Sequence, residues 1–165
     1  MTNDARARSF FPRMPVEIFD VWIQPQINTY GWPFTSINSS TISTRWYDFF
    51  FGRKLSYFRD LTWSKSLALI DSFPLNHDSW KRLRDLTNHC TGRDKTGRWK
   101  VENSVQRFIR AGAFITQNRT IPGCIILIKD EESYVICDGH HRIAAWVGSN
   151  LARSIKIPVW VGISN

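Results

Sequence analysis

The sequence predicts an α+β fold in a single domain, and three observations carry that expectation. The chain has 165 residues, which suits one compact domain and leaves no room for two full ones. It is 42% hydrophobic and 14% aromatic, enough for a substantial core. In the C-terminal third the apolar pattern alternates between helical and strand-like stretches. This predicts a small mixed sheet with helices packed on it.

Taken in order, residues 1–14 carry Arg6, Arg8 and Arg13 and read as a flexible basic arm before a domain spanning 15–165. Apolar groups alternate roughly from Pro15 to Ile23, which predicts a strand over 15–24, ended by Pro25 and Gly31-Trp32-Pro33. Ser36 to Ser43 is polar and reads as loop, and the aromatic stretch Arg45 to Phe51 fits a short strand or a short helix. Thr62 is placed to cap a helix reaching Phe73, with Pro74 as its stop. Asp78 or Ser79 would cap another helix, with Trp80, Leu83 and Leu86 or Thr87 inward and Lys81, Arg82 and Arg84 outward. Thr91 to Gly97 reads as a charged loop.

The C-terminal third is more legible. Val101, Val105, Phe108 and Ile109 recur at helical spacing, and Gly112 stands where a helix stop belongs. Cys124–Lys129 and Tyr134–Cys137 read as strands joined by the polar turn Asp130–Ser133, hence a hairpin, and their continuous apolar character predicts burial on both faces. A helix is expected from His140 to Val147, with Gly148 as its end. A last strand follows over Ile155–Ile163, where Pro158 argues for an edge position or a bulge.

Lys and Arg number 22 against 14 acids, a net charge of +8, which favours an anionic partner such as a nucleotide, a nucleic acid or an acidic protein. No apolar run approaches a membrane span or a signal peptide, so no membrane partner is expected. The expected location is the cytoplasm, or a host cytoplasm if the gene is phage-borne. Cys90, Cys124 and Cys137 are odd in number and lack CxxC spacing, which argues against a disulfide framework or a cysteine zinc site.

The chemistry concentrates at Asp138-Gly139-His140-His141-Arg142, between a buried strand and an apolar helix. A helix start offers unpaired amides and the positive end of its dipole, so it favours anions. Gly139 would let a phosphate approach the backbone, and Arg142 would grip phosphate oxygens through its planar fork. His140 and His141 add donors that can be charged or neutral near neutral pH. Asp138 could hold a metal ion, orient a histidine or accept a proton, so Asp138, His140 and His141 are the candidate catalytic residues. Adjacent histidines project differently from a helix and make a poor zinc pair, whereas a nucleotide-bound magnesium ion needs only one or two carboxylates plus phosphates.

Over residues 101 to 163 this order of helix, glycine, strand, hairpin, Gly-x-x-Arg, helix and strand resembles the ParB/sulfiredoxin superfamily. Asp-Gly-His-His-Arg is similar to the form in its free-serine kinase branch. The resemblance implies a ParB/sulfiredoxin-like domain that binds nucleotide triphosphate or diphosphate with Mg2+. ParB proteins bind and hydrolyse CTP, the serine kinases transfer phosphate from a nucleotide, and other relatives are nucleases or ATPases. Sulfiredoxins need the cysteine of Gly-Cys-His-Arg. His140 stands in that place, which argues against their redox chemistry. With Asn165 two residues beyond the last strand, the helix-turn-helix and dimerisation domains of a partitioning ParB are not expected. The kinase relatives also use an upstream carboxylate as base, for which Glu17, Asp20, Asp48 and Asp60 are candidates.

Two basic clusters, Lys81-Arg82-Leu83-Arg84 and Arg93 to Lys100, lie beside Trp80 and Trp99. Basic groups next to aromatics can hold single-stranded nucleic acid, but for each cluster alone a solvated helix face over core tryptophans is the preferred reading. Lys81, Arg82, Arg84, Arg107 and Arg110 are the candidate nucleic-acid contacts, with Arg119 following. Three functions result. The first is an NTPase or phosphotransferase using the Asp138–Arg142 junction. The second is a nucleic-acid-binding protein or nuclease. The third is a non-enzymatic plasmid- or phage-encoded inhibitor that binds a host protein through its Trp-rich N-terminal half.

Overall fold

A computed structural model describes residues 3–37, 43–94, 103–149 and 155–164. The chain forms two compact units, Met1–Trp63 with Gly162–Asn165, and Ser64–Val161.

The first unit is helical: α1 (Asn3–Ser9), α2 (Val16–Ile18), a π-helical turn (Phe19–Ile23), α3 (Gln24–Tyr30), α4 (Thr44–Phe49) and α5 (Leu55–Arg59). The strand expected over 15–24 is therefore helix. Ile18, Phe19, Trp22, Ile23 and Ile27 are all buried, and their spacing of three to four residues is the pattern that wins over the rough alternation. The expected flexible arm is also folded: Ala7, Phe10, Phe11 and Met14 are buried, and Arg8 Nη2 donates to Met14 O at 2.6 Å. Aromatic rings fill this core. Trp46 stacks on Phe50 at 5.7 Å, Trp32 meets Phe34 edge-on at 4.8 Å, and Trp22 meets Phe58 at 5.7 Å. Trp22, Trp32 and Trp46 are interior, so these tryptophans stabilise the unit and do not form a surface. Arg45–Phe51 resolves largely to α4, started by Ser43, whose hydroxyl accepts from Trp46 N.

The four-stranded sheet has the order β1-β4-β2-β3. Its strands are β1 (Thr62–Ala68), β2 (Ile125–Asp130), β3 (Ser133–Asp138) and β4 (Ile157–Ile163). A helix expected from Thr62 to Phe73 is replaced by β1 and a 3-10 turn over Ile70–Ser72. Polar residues at Ser64, Lys65 and Ser66 leave too few apolar positions for a buried helix stripe, and pairing with β4 fixes the extended form. That pairing also corrects the edge position inferred from Pro158. β4 is an inner strand, with Pro158 as its second residue. β2 and β3 are the expected antiparallel hairpin, with Ile128 opposite Val135 and a register shift between Ile126 and Leu127.

Three helices pack in the second unit: α6 (His77–Cys90), α7 (Ser104–Asn118) and α8 (His140–Gly148). Asn76, rather than Asp78 or Ser79, caps α6, its side chain accepting from Ser79 N at 2.9 Å. Leu83 and Leu86 face inward as expected, but Trp80 is 51% exposed. α7 runs through Gly112 and ends at Arg119, which is left-handed (φ 52°). A Cβ at Gly112 would meet nothing, so the glycine does not interrupt the helix. Of the stripe read from the sequence, Val101 lies outside the described residues, and Val105 and Ile109 are exposed. The buried face is Ser104, Ala111 and Ile115. The hairpin and the following helix agree with the sequence reading, and Ile125 to Ile128 are fully buried.

Candidate anion site at the start of α8

The motif sits where β3 ends and α8 begins. Gly139 caps the helix with φ 103°, a left-handed conformation that side chains rarely adopt. A Cβ at this position would overlap Ile125 Cδ1. Glycine is thus required by the turn itself and by the packing of β2, in addition to any ligand. Because it has no side chain, it gives the first turn of α8 no cap.

Arg142 reaches back from α8 and is held by the protein. Its Nη1 donates to Pro122 O at 2.9 Å and to Cys124 O at 2.8 Å, while Nη2 pairs with Asp138 Oδ2. The fork expected to grip phosphate therefore ties the Pro122–Cys124 turn, the end of β3 and α8 together. Gly123 is left-handed at φ 68°, and a Cβ there would come within 3.1 Å of Arg142 Nη1, so this turn is shaped around the guanidinium. Burial pushes the Asp138 carboxyl above the usual carboxylate range, against Arg142, the Gly139 amide and Arg107, which all favour the charged form.

The two histidines diverge. Burial, with the charges of Arg82 and His141, lowers His140 to about 3, and its buried Nε2 has no hydrogen-bond partner among the described residues. His141 is lowered to about 4 by burial and by Arg107 and Arg142, and its Nε2 lies 3.1 Å from Ser104 Oγ. Both are neutral at pH 7. Ser104 is buried at the start of α7, so it orients the imidazole and is not an exposed nucleophile.

Of the basic residues picked from sequence, Arg82 and Arg107 converge electrostatically on the histidines, which the sequence could not show. Lys81, Arg82, Arg84, Arg107 and Arg110 are all exposed. Most of the Arg93–Lys100 cluster, including Trp99, lies outside the described residues. Glu17, Asp20, Asp48 and Asp60 are exposed members of the first unit, and Asp60 pairs with Arg59 at 2.8 Å. Ser79 is a supporting residue the sequence reading missed in this role: its buried hydroxyl accepts from Ile136 N at 3.1 Å and holds β3 to α6. A serine three residues after a cap carries no sequence signal for such a contact.

No family model, curated protein or solved structure matches the chain. Among the described residues, no helix is long and apolar enough to cross a membrane, and no cluster of three His, Cys, Asp or Glu could hold a metal ion.

Proposed function

We propose that the start of α8 binds the phosphates of a nucleoside di- or triphosphate, as the ParB/sulfiredoxin likeness implies, and that the protein is an NTPase or phosphotransferase. One observation carries this reading. α8 begins on an uncapped glycine, and the charges of Arg82 and Arg107 fall on the same junction. First-turn amides and the helix dipole supply an anion site, and the two arginines deepen its positive potential. Arg142 and Asp138 position the junction and do not reach out from it. Neutral His141, held by Ser104, can donate to a phosphate oxygen or accept a proton from a nucleophile. A magnesium ion here would rest chiefly on the nucleotide's phosphates, with Asp138 as the one carboxylate of the motif. It would supply charge neutralisation of those phosphates.

The test is thermal unfolding with ATP, ADP, CTP or GTP and magnesium, on wild type and Arg107→Ala. A ligand at a hundred times its Kd stabilises by about 2.7 kcal/mol, roughly 5–11 °C at this chain length. Arg107 is exposed, so its loss should spare the fold and shrink the shift. No shift with any nucleotide would defeat the reading, and an equal shift in Arg107→Ala would move the site elsewhere.

A further inference from the structure

A second feature of the same unit is an apolar pocket between α6 and α8. Ile70, Phe73, Pro74, Leu75, Trp80, Ile143 and Val147 line a pocket of about 250 Å³, with Asp71 as its one charged residue. Trp80 is 51% exposed and Val147 52%, and both stand at the lining of this one pocket. The pocket falls below the roughly 300–1,000 Å³ of drug-sized ligand sites, so it suits a single ring system. The carboxylate of Asp71 disfavours a phosphate or carboxylate inside it. Just outside, α6 presents cations. Arg84 follows Trp80 by one turn on the same helix face, and Lys81 is its neighbour. Both are exposed, and the contact of Arg84 with Asp85 is a loose 3.8 Å.

An apolar pocket beside a half-exposed indole, with Arg84 one helical turn along α6 and Lys81 next to Trp80 in the chain, is complementary to a nucleobase joined to phosphates. We infer that this pocket takes one unpaired base of a single-stranded nucleic acid, stacked on Trp80, while Lys81 and Arg84 contact the flanking phosphates. Base–aromatic stacking is tolerant of sequence, so the class of ligand is single-stranded DNA or RNA without a strict motif. Duplex is disfavoured because its bases are already stacked. The inference differs from the nucleotide reading in the groups it uses: α8 lends the pocket the apolar side chains of Ile143 and Val147, and neither its first-turn amides nor Arg107 takes part.

Fluorescence anisotropy of a labelled oligothymidine on the full chain tests it, with Trp80→Ala, Trp80→Phe and the double variant Lys81→Ala/Arg84→Ala. Trp80→Ala should weaken binding roughly 5- to 150-fold, the range corresponding to about 1–3 kcal/mol per stacked base. Its salt slope should match wild type, and Trp80→Phe should recover most of the affinity. The double variant should instead flatten the slope of log K against log salt by about 1.4 for two lost phosphate contacts at roughly 0.7 each. Absence of binding at low salt overturns the inference. Equal binding by Trp80→Ala overturns it too, since it would mean that a general polyanion surface suffices. So does tight capture of an acidic, Trp-containing peptide that the oligonucleotide cannot displace. A nucleotide-induced thermal shift that survives in Trp80→Ala leaves the α8 reading standing whichever way this test falls.

Discussion

Replacing Arg142 with alanine should destabilise the protein by about 3–4 kcal/mol, because its guanidinium is a structural clamp. Two bonds run from the charged Nη1 to carbonyls at 2.9 and 2.8 Å. Taking the lower end of the range for charge-assisted bonds, about 1.5 kcal/mol each, gives about 3. The pair with Asp138 adds at most about 1, because the cost of burying the carboxyl offsets most of its attraction to the guanidinium. At roughly 2–4 °C per kcal/mol for a chain of this size, the melting temperature should fall by about 6–16 °C. Urea unfolding supplies the free energy, and hydrogen exchange should show the loss concentrated in the Pro122–Cys124 turn and the first turn of α8. Arg142→Lys should recover only part of it, since one ammonium cannot reproduce a two-nitrogen fork. A loss below about 1 kcal/mol with nucleotide binding abolished would refute this reasoning. It would show that the guanidinium stands free for phosphate, as the sequence alone suggests.

Two further outcomes follow from the same junction. Gly139→Ala should cost about 2–4 kcal/mol, from the left-handed backbone and the overlap with Ile125 Cδ1. Adding Ile125→Val removes that methyl, so the double variant should lose less than the sum of the singles in urea unfolding. Stability should also fall on acidification below pH 6.5. His140 and His141 titrate near 3 and 4 when folded and near 6.5 when unfolded, so in between the unfolded chain binds more protons and folding weakens as pH drops. Each contributes at most about 1.4 kcal/mol per pH unit in that window. Asp138 acts with the opposite sign in a window that opens at its ordinary value of 3.8, since its folded form holds its proton more tightly. Melting temperatures at pH 7 and pH 5 check this. A flat profile in wild type, or an unchanged slope in His140→Phe with His141→Gln, would contradict it.

The sequence by itself determined the elements whose signals are local. The hairpin Ile125–Asp138, the helix His140–Gly148 and the strand ending at Ile163 follow from unbroken apolar runs punctuated by Gly and polar turns. The Asp138–Arg142 junction was visible as polar chemistry wedged between two apolar elements. Tertiary structure decided whatever depends on partners distant in the chain. Thr62–Ala68 is a strand because β4 is there to pair with it, and Val16–Tyr30 is helical because buried Ile18, Trp22 and Ile27 need a common aromatic core. The largest change concerns Arg142. Sequence gave its charge and its place beside a helix start, but the carbonyls of Pro122 and Cys124 that occupy it lie 20 and 18 residues away. A side chain's charge is a property of its residue type, whereas the donors it has left for a ligand are set by the neighbours folding brings to it. The same holds for Trp80, which periodicity alone placed in the core and packing left half in solvent at the mouth of a pocket.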